Sequence, residues 1–210
     1  MLSAKEVMQV SPIIPVLAIE DASKVLGIAK ALQEGGVNIM EITLRTDAAY
    51  EAIEIVAKEL PSMCVGAGTV VSLKQYKEVK KRGAQFIISP GVNASLLEYS
   101  KDSGITYIPG VSSASEIMLA MEYGLYDLKL FPANIVGGTK ALKAFSGPFS
   151  QVNFCPTGGV SLENLCKYIG LANVICVGGT WFCTKELIDK GDYKTITSLC
   201  KEALEVINEA

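Results

Sequence analysis

Along the chain, short apolar runs alternate with longer amphipathic stretches. The runs are IIPVLAI from Ile13, IMEITLR from Ile39, CVGAGTV from Cys64, FIISPG from Phe86, ITYIPG from Ile105, DLKLFP from Asp127, NFCPTGG from Asn153 and VICVGGT from Val174. Their starts lie 26, 25, 22, 19, 22, 26 and 21 residues apart. That spacing is the length of one short strand, one helix and two tight loops. The stretches between them read as helices. After Asp21, Val25, Ile28, Ala29 and Leu32 fall at helical spacing and Gly35-Gly36 supplies the stop. A second helix follows Thr46 and ends before Pro61. Ser72 and Ser113 stand as N-caps, the latter with Glu116 in capping-box position. Ser161 opens another helix, and a last one runs from about Tyr193 to Ile207.

Eight βα units without hairpin signals imply a parallel sheet with right-handed crossovers, and eight is the number that closes a barrel. The expected architecture is therefore α/β: a single-domain (β/α)8 TIM barrel over residues 1–210, with a short extra N-terminal helix. The open doubly wound alternative lacks a G-x-G-x-x-G after the first strand.

Composition narrows the chemistry. Half of the 210 residues are apolar and a fifth charged, with a net charge of −3. This is a globular chain without the basic footprint of a nucleic-acid binder. It has no His, which excludes Ser-His-Asp and Cys-His mechanisms and His-ligated metals. None of the six cysteines forms a C-x-x-C pair, so they read as reduced core thiols, and no metal site is expected. The N-terminal MLSAKEVMQV lacks a signal peptide's apolar segment, and no apolar run reaches membrane-spanning length. A cytoplasmic chain without membrane or nucleic-acid partners is expected.

Alternation along the strands places charge inside the barrel. In IMEITLR, Met40, Ile42 and Leu44 share one face, and Glu41, Thr43 and Arg45 the other. In DLKLFP, Leu128 and Leu130 face the helices while Asp127, Lys129 and Phe131 face inward. An internal ion pair that only fills the barrel is one explanation. Charges out of water are costly, however, and apolar residues serve as well or better. The chemical explanation is a desolvated Lys129, kept neutral more easily, that attacks a carbonyl to form a Schiff base. Glu41 then moves protons and Arg45 grips a substrate carboxylate. That describes a metal-free, cofactor-free aldolase acting on a small 2-keto acid. Pro156-Thr157-Gly158-Gly159-Val160 and Gly178-Gly179-Thr180 end units seven and eight, where such barrels bind phosphate. Gly66-Ala67-Gly68-Thr69 and Ser89-Pro90-Gly91 end units three and four. Tight turns alone explain these smaller residues equally well.

At these residues the sequence resembles the 2-keto-3-deoxy-6-phosphogluconate / 4-hydroxy-2-oxoglutarate aldolase family. The carrying motifs are EITLRT at 41–46, GAGTV at 66–70, ISPG at 88–91, IPGVS at 108–112, KLFPA at 129–133, GPFSQV at 147–152, CPTGGV at 155–160 and VGGTW at 177–181. The resemblance implies a class I lyase in which Lys129 is the Schiff-base lysine and Glu41 the general acid/base. It implies that Arg45 binds the pyruvyl carboxylate and that Thr69, Pro90, Phe131 and Thr157 line the pyruvyl end. It gives Gly158, Gly159, Gly178, Gly179 and Thr180 to the phosphate, Thr180 standing where the family commonly has Ser. It further implies a homotrimer, serving either sugar-acid catabolism of the Entner–Doudoroff kind, within carbohydrate metabolism, or hydroxyproline breakdown. The substrate is the phosphogluconate derivative, 4-hydroxy-2-oxoglutarate, or both; the galactonate epimer is an alternative, and Asn134-Ile135-Val136 departs from the more polar family loop. A phosphate-binding barrel epimerase or synthase, and a non-catalytic sugar-phosphate sensor, share the glycine loops but leave the Glu41–Lys129 pair without a role.

Overall fold

The computed structural model of the chain describes residues 1–209. Its strands are β1 (Ile13–Leu17), β2 (Ile39–Thr43), β3 (Cys64–Gly68), β4 (Phe86–Ile88), β5 (Thr106–Ile108), β6 (Gly110–Val111), β7 (Asp127–Leu130), β8 (Asn153–Pro156) and β9 (Val177–Gly179). Every pairing is parallel, as βα repetition requires. Hydrogen bonding divides them into a six-stranded sheet, β5-β4-β3-β2-β1-β9, and a three-stranded one, β6-β7-β8.

The division has two sources. Pro109 has no N–H to give to a ladder, so it splits the fifth apolar run into β5 and β6. On the other side, among the described residues no ladder joins β8 to β9; isolated parallel bridges, Phe154 to Val174 before β9 and Thr157 after β8 to Gly178, link the segments. The continuous eight-strand sheet expected from the repeat is thus nine strands in two parallel sheets.

The helices are α1 (Ala4–Gln9), α2 (Val25–Glu34), α3 (Ala49–Glu59), α4 (Leu73–Lys81), α5 (Ala94–Ser100), α6 (Ala114–Glu122), α7 (Gly138–Phe145), α8 (Leu165–Ile169), α9 (Lys185–Lys190) and α10 (Tyr193–Asn208). The N-terminal helix α1 is held by a capping box in which Glu6 N donates to Ser3 Oγ (3.2 Å) and Ser3 N to Glu6 Oε2 (2.7 Å). Ser72 caps α4 as expected. Ser113 caps α6, but the Glu116 carboxylate returns to Ser112 N (2.6 Å) rather than to the cap's own amide. Ser161 is not a cap: Asn164 precedes α8, and its side chain accepts from Ser161 N at 3.0 Å. The Ser161–Asn164 turn displaces the helix start by one turn.

The core is continuous from the strands into the inner helix faces. In α2 the buried set is Val25, Ile28, Ala29, Ala31 and Leu32, a single apolar stripe. The last helix lies against it so closely that a Cβ on Gly35 would stand 2.5 Å from Cys200 Cβ. Side chains at the C-terminal strand ends, and the loops that follow, converge on the opposite side from α1.

Candidate active site

Two charged side chains meet in the interior. Glu41 lies mid-strand in β2 and Lys129 in β7, and both are buried (1% and 5% exposed). Lys129 Nζ donates to Glu41 Oε1 at 3.0 Å and to Oε2 at 3.2 Å. The sequence makes room for this pair. In the β2–β3 register Glu41 pairs with Gly66 and Thr43 with Gly68. A Cβ on Gly68 would fall 2.0 Å from Glu41 Oε1, and one on Gly66 would fall 2.3 Å from the Phe86 ring. The two glycines of GAGTV therefore hold space for the carboxylate and for a core aromatic. Burying such a pair is rarely the cheapest way to fill a core.

Around the amine, the Phe131 ring centroid is 5.4 Å from Lys129 Nζ. Cys155 is Lys129's register partner in β8, and Thr157, two residues on, turns to the same side. Thr157 is buried, with Oγ1 3.9 Å from Cys155 Sγ. A Cβ on Gly178 would collide with that hydroxyl at 2.3 Å. Cys155 and Cys176, read from sequence as reduced core thiols, belong to this floor. The Cys176 thiol's hydrogen bond to Cys155 outweighs the desolvation of Cys155 and, with the Lys129 charge, lowers its pKa below the ordinary thiol value. Burial pushes Cys176 well above it. The signal was present in the alternation of FCPT, which sets Cys155 on the Thr157 side.

Thr69, just past β3, has φ 58°, a left-handed conformation unusual for a β-branched residue. Pro90 follows β4; its carbonyl presses on Gly110, where a Cβ would stand 2.5 Å away. Arg45 corrects the alternation argument. The strand ends at Thr43, whose hydroxyl donates to Leu17 O (2.8 Å), and Arg45 is exposed beyond it. Arg45 does not enter the barrel beside Lys129; it lines a rim cleft of about 250 Å³ together with Thr180 and Lys185.

The glycines of the two late loops differ in purpose. Gly158 and Gly159 have φ 97° and 76°, so both serve the turn itself. Gly178 and Gly179 instead allow close approach, Gly178 to Thr157 and Gly179 to the Trp181 ring, which a Cβ would meet at 1.8 Å. Trp181 also packs edge-on to Phe182 at 4.5 Å, and its Nε1 is buried without a hydrogen-bond partner among the described residues. Asn134 covers Gly159, while Ile135 in the same loop is 77% exposed at the mouth. Among the described residues no group of three His, Cys, Asp or Glu side chains could hold a metal ion, and no helix is long and apolar enough to cross a membrane.

Comparisons with known proteins agree on one family. The family model for KDPG and KHG aldolase matches residues 4–199. The chain is 47% identical over 203 residues to the KHG/KDPG aldolase of Escherichia coli K12, covering 97% of this chain and 95% of that one. Among solved structures, the KDPG aldolase of Legionella pneumophila, with pyruvate captured at low pH as a covalent carbinolamine intermediate, superposes with TM-score 0.95. It is 42% identical, over 96% of this chain and 98% of its own. The Zymomonas mobilis ZM4 aldolase with 3-phosphoglycerate gives TM-score 0.91 and 41% identity over 95% and 94% of the two chains.

Proposed function

Because the chain belongs to the KDPG and KHG aldolase family, we propose that it is a class I aldolase working through an imine on Lys129. The substrate is 2-keto-3-deoxy-6-phosphogluconate, 4-hydroxy-2-oxoglutarate or both. The observation that carries the reading is the buried contact of Lys129 Nζ with both Glu41 oxygens beside Phe131 and Thr157. An amine must shed a proton before it attacks C2, and here an acceptor already touches it. Loss of water from the carbinolamine leaves a protonated imine that withdraws electrons from C3. Glu41, through the released water, takes the C4 hydroxyl proton. The C3–C4 bond breaks and its electrons pass into the enamine. Glyceraldehyde 3-phosphate leaves, or glyoxylate from the shorter substrate. Glu41 returns the proton to C3, and hydrolysis releases pyruvate and the lysine. The reaction requires no metal or organic cofactor.

Thr69, Pro90 and Thr157 are proposed to line the pyruvyl end, with Arg45 gripping its carboxylate when the rim closes over substrate. Gly158, Gly159, Gly178, Gly179 and Thr180 would receive the phosphate. The pyruvate carbinolamine of the Legionella relative supports the covalent chemistry, and the 3-phosphoglycerate of the Zymomonas relative supports a phosphorylated ligand. We further propose a single (β/α)8 barrel domain, with β5 and β6 as one interrupted strand and the β8–β9 bridges as the closing seam. A cytoplasmic homotrimer rests on the family resemblance.

The test is imine trapping with pyruvate and borohydride followed by peptide mapping. An adduct on Lys129 in the native protein, lost in Lys129→Met, is expected. Turnover without an adduct would overturn the imine and favour a phosphate-barrel epimerase or synthase.

A further inference from the structure

The residues proposed for the phosphate are Gly158, Gly159, Gly178, Gly179 and Thr180. They offer backbone N–H groups and one hydroxyl but no cation. A phosphate monoester carries a charge of about −1.5 to −2 at neutral pH. The rim cleft that Thr180 lines contains two cations, Arg45 and Lys185. Arg45 is the residue proposed above for the substrate carboxylate, so Lys185 is the cation of this cleft that still has no assigned role.

Lys185 is not free in this structure. It sits at the start of α9, 60% exposed, with Nζ 2.7 Å from Glu20 Oε2 and 2.9 Å from Asp189 Oδ2. Glu20 follows β1 and Asp189 lies one turn along α9, so the ammonium is tethered between two elements that flank the cleft. Exposed pairs of this kind contribute little to stability and exchange partners readily. A phosphate dianion arriving at Thr180 offers Lys185 a stronger, charge-assisted partner than a single carboxylate.

We infer that Lys185 is a specificity-determining residue for the distal phosphate of the substrate, held at the cleft by Glu20 and Asp189 until the phosphate displaces them. The inference rests on the aldolase reading above and adds to it the discrimination between the two substrates. In the phosphogluconate derivative the phosphate lies two carbons beyond the carbinol carbon C4. In 4-hydroxy-2-oxoglutarate the terminal carboxylate is bonded directly to C4, close to Lys129. Lys185 at the rim therefore acts on the longer substrate alone.

The experiment measures KM and kcat of wild type, Lys185→Met, Lys185→Arg and Glu20→Gln with both substrates at two salt concentrations, alongside pyruvate trapping. Lys185→Met is expected to raise KM for the phosphorylated substrate about tenfold with kcat little changed, and to blunt its salt dependence. KM for 4-hydroxy-2-oxoglutarate should stay within about twofold. Lys185→Arg should restore most of the loss, and Glu20→Gln, which removes one of the two carboxylates holding the ammonium, should lower KM for the phosphorylated substrate. Inorganic phosphate should inhibit wild type competitively and Lys185→Met less. Equal changes on both substrates, or none on the phosphorylated one, would overturn the assignment. Failure of pyruvate to trap on Lys129 in wild type would instead bring down the aldolase reading, and this inference with it.

Discussion

Replacing Gly68 by Ala tests whether the Glu41–Lys129 contact is the working part of the site. Gly68 has no need of left-handed backbone, so alanine is conformationally allowed there. Its Cβ would nevertheless stand 2.0 Å from Glu41 Oε1 and 2.7 Å from Cδ and Cγ, where 3.0 Å is the practical floor. The carboxylate must therefore move by about 1 Å, which disturbs its contacts of 3.0 and 3.2 Å with Lys129. A displacement of about 1 Å in a catalytic group costs on the order of 10²-fold in rate, or about 2.7 kcal/mol of barrier. Parting a buried pair also removes stability, up to about 3–5 kcal/mol if one partner is left wholly uncompensated. The assay is pyruvate release coupled to lactate dehydrogenase, with a urea midpoint on the same preparation. Wild-type kcat in a folded Gly68→Ala protein would refute the reasoning. Gly66→Ala is the contrast: its Cβ meets the Phe86 ring, so stability should fall before catalysis does.

Gly179→Ala should expel the only tryptophan from its packing, because the new Cβ would lie 1.8 Å from the Trp181 ring. A red-shifted emission and a raised KM for the phosphorylated substrate are expected; an unchanged spectrum would contradict the packing. Glu116→Gln should cost on the order of a few tenths of a kcal/mol at neutral pH, solvent screening at this part-exposed site included. Burial disfavours the Glu116 carboxylate, but hydrogen bonds from Ser112 and Ser113 win and hold its pKa below the ordinary value. Its contribution is thus full above the unfolded pKa and vanishes as pH falls through the folded one, so urea midpoints of the two proteins should converge in acid; a gap independent of pH would contradict this. Burial lifts Cys64 to about 11 and Cys200 to about 12, and raises Cys183 as well. An aromatic disulfide reagent at pH 8 should therefore modify half-buried Cys166 first and reach six thiols only in denaturant. Rapid reaction of several thiols in the native protein would show that the core is open.

The periodic βα order, the position of every apolar run that became a strand, the caps at Ser72 and Ser113, and the inward aim of Glu41 and Lys129 were all legible along the chain. These follow from local rules: side-chain period, capping chemistry and the cost of buried charge act within a few residues. How the runs pair emerged in three dimensions. One missing amide at Pro109 splits a strand, and a seam of isolated bridges replaces a full β8–β9 ladder. The placement of Arg45 was likewise beyond reach, because alternation holds only while the strand lasts and β2 stops at Thr43. Two of the glycines are explained from across the sheet, Gly68 by Glu41 and Gly178 by Thr157, whereas Gly179 answers to Trp181 two residues on. Such facts depend on which side chain a neighbouring element delivers to a given point in space. No spacing along one chain segment encodes that, and packing in three dimensions is where it is settled.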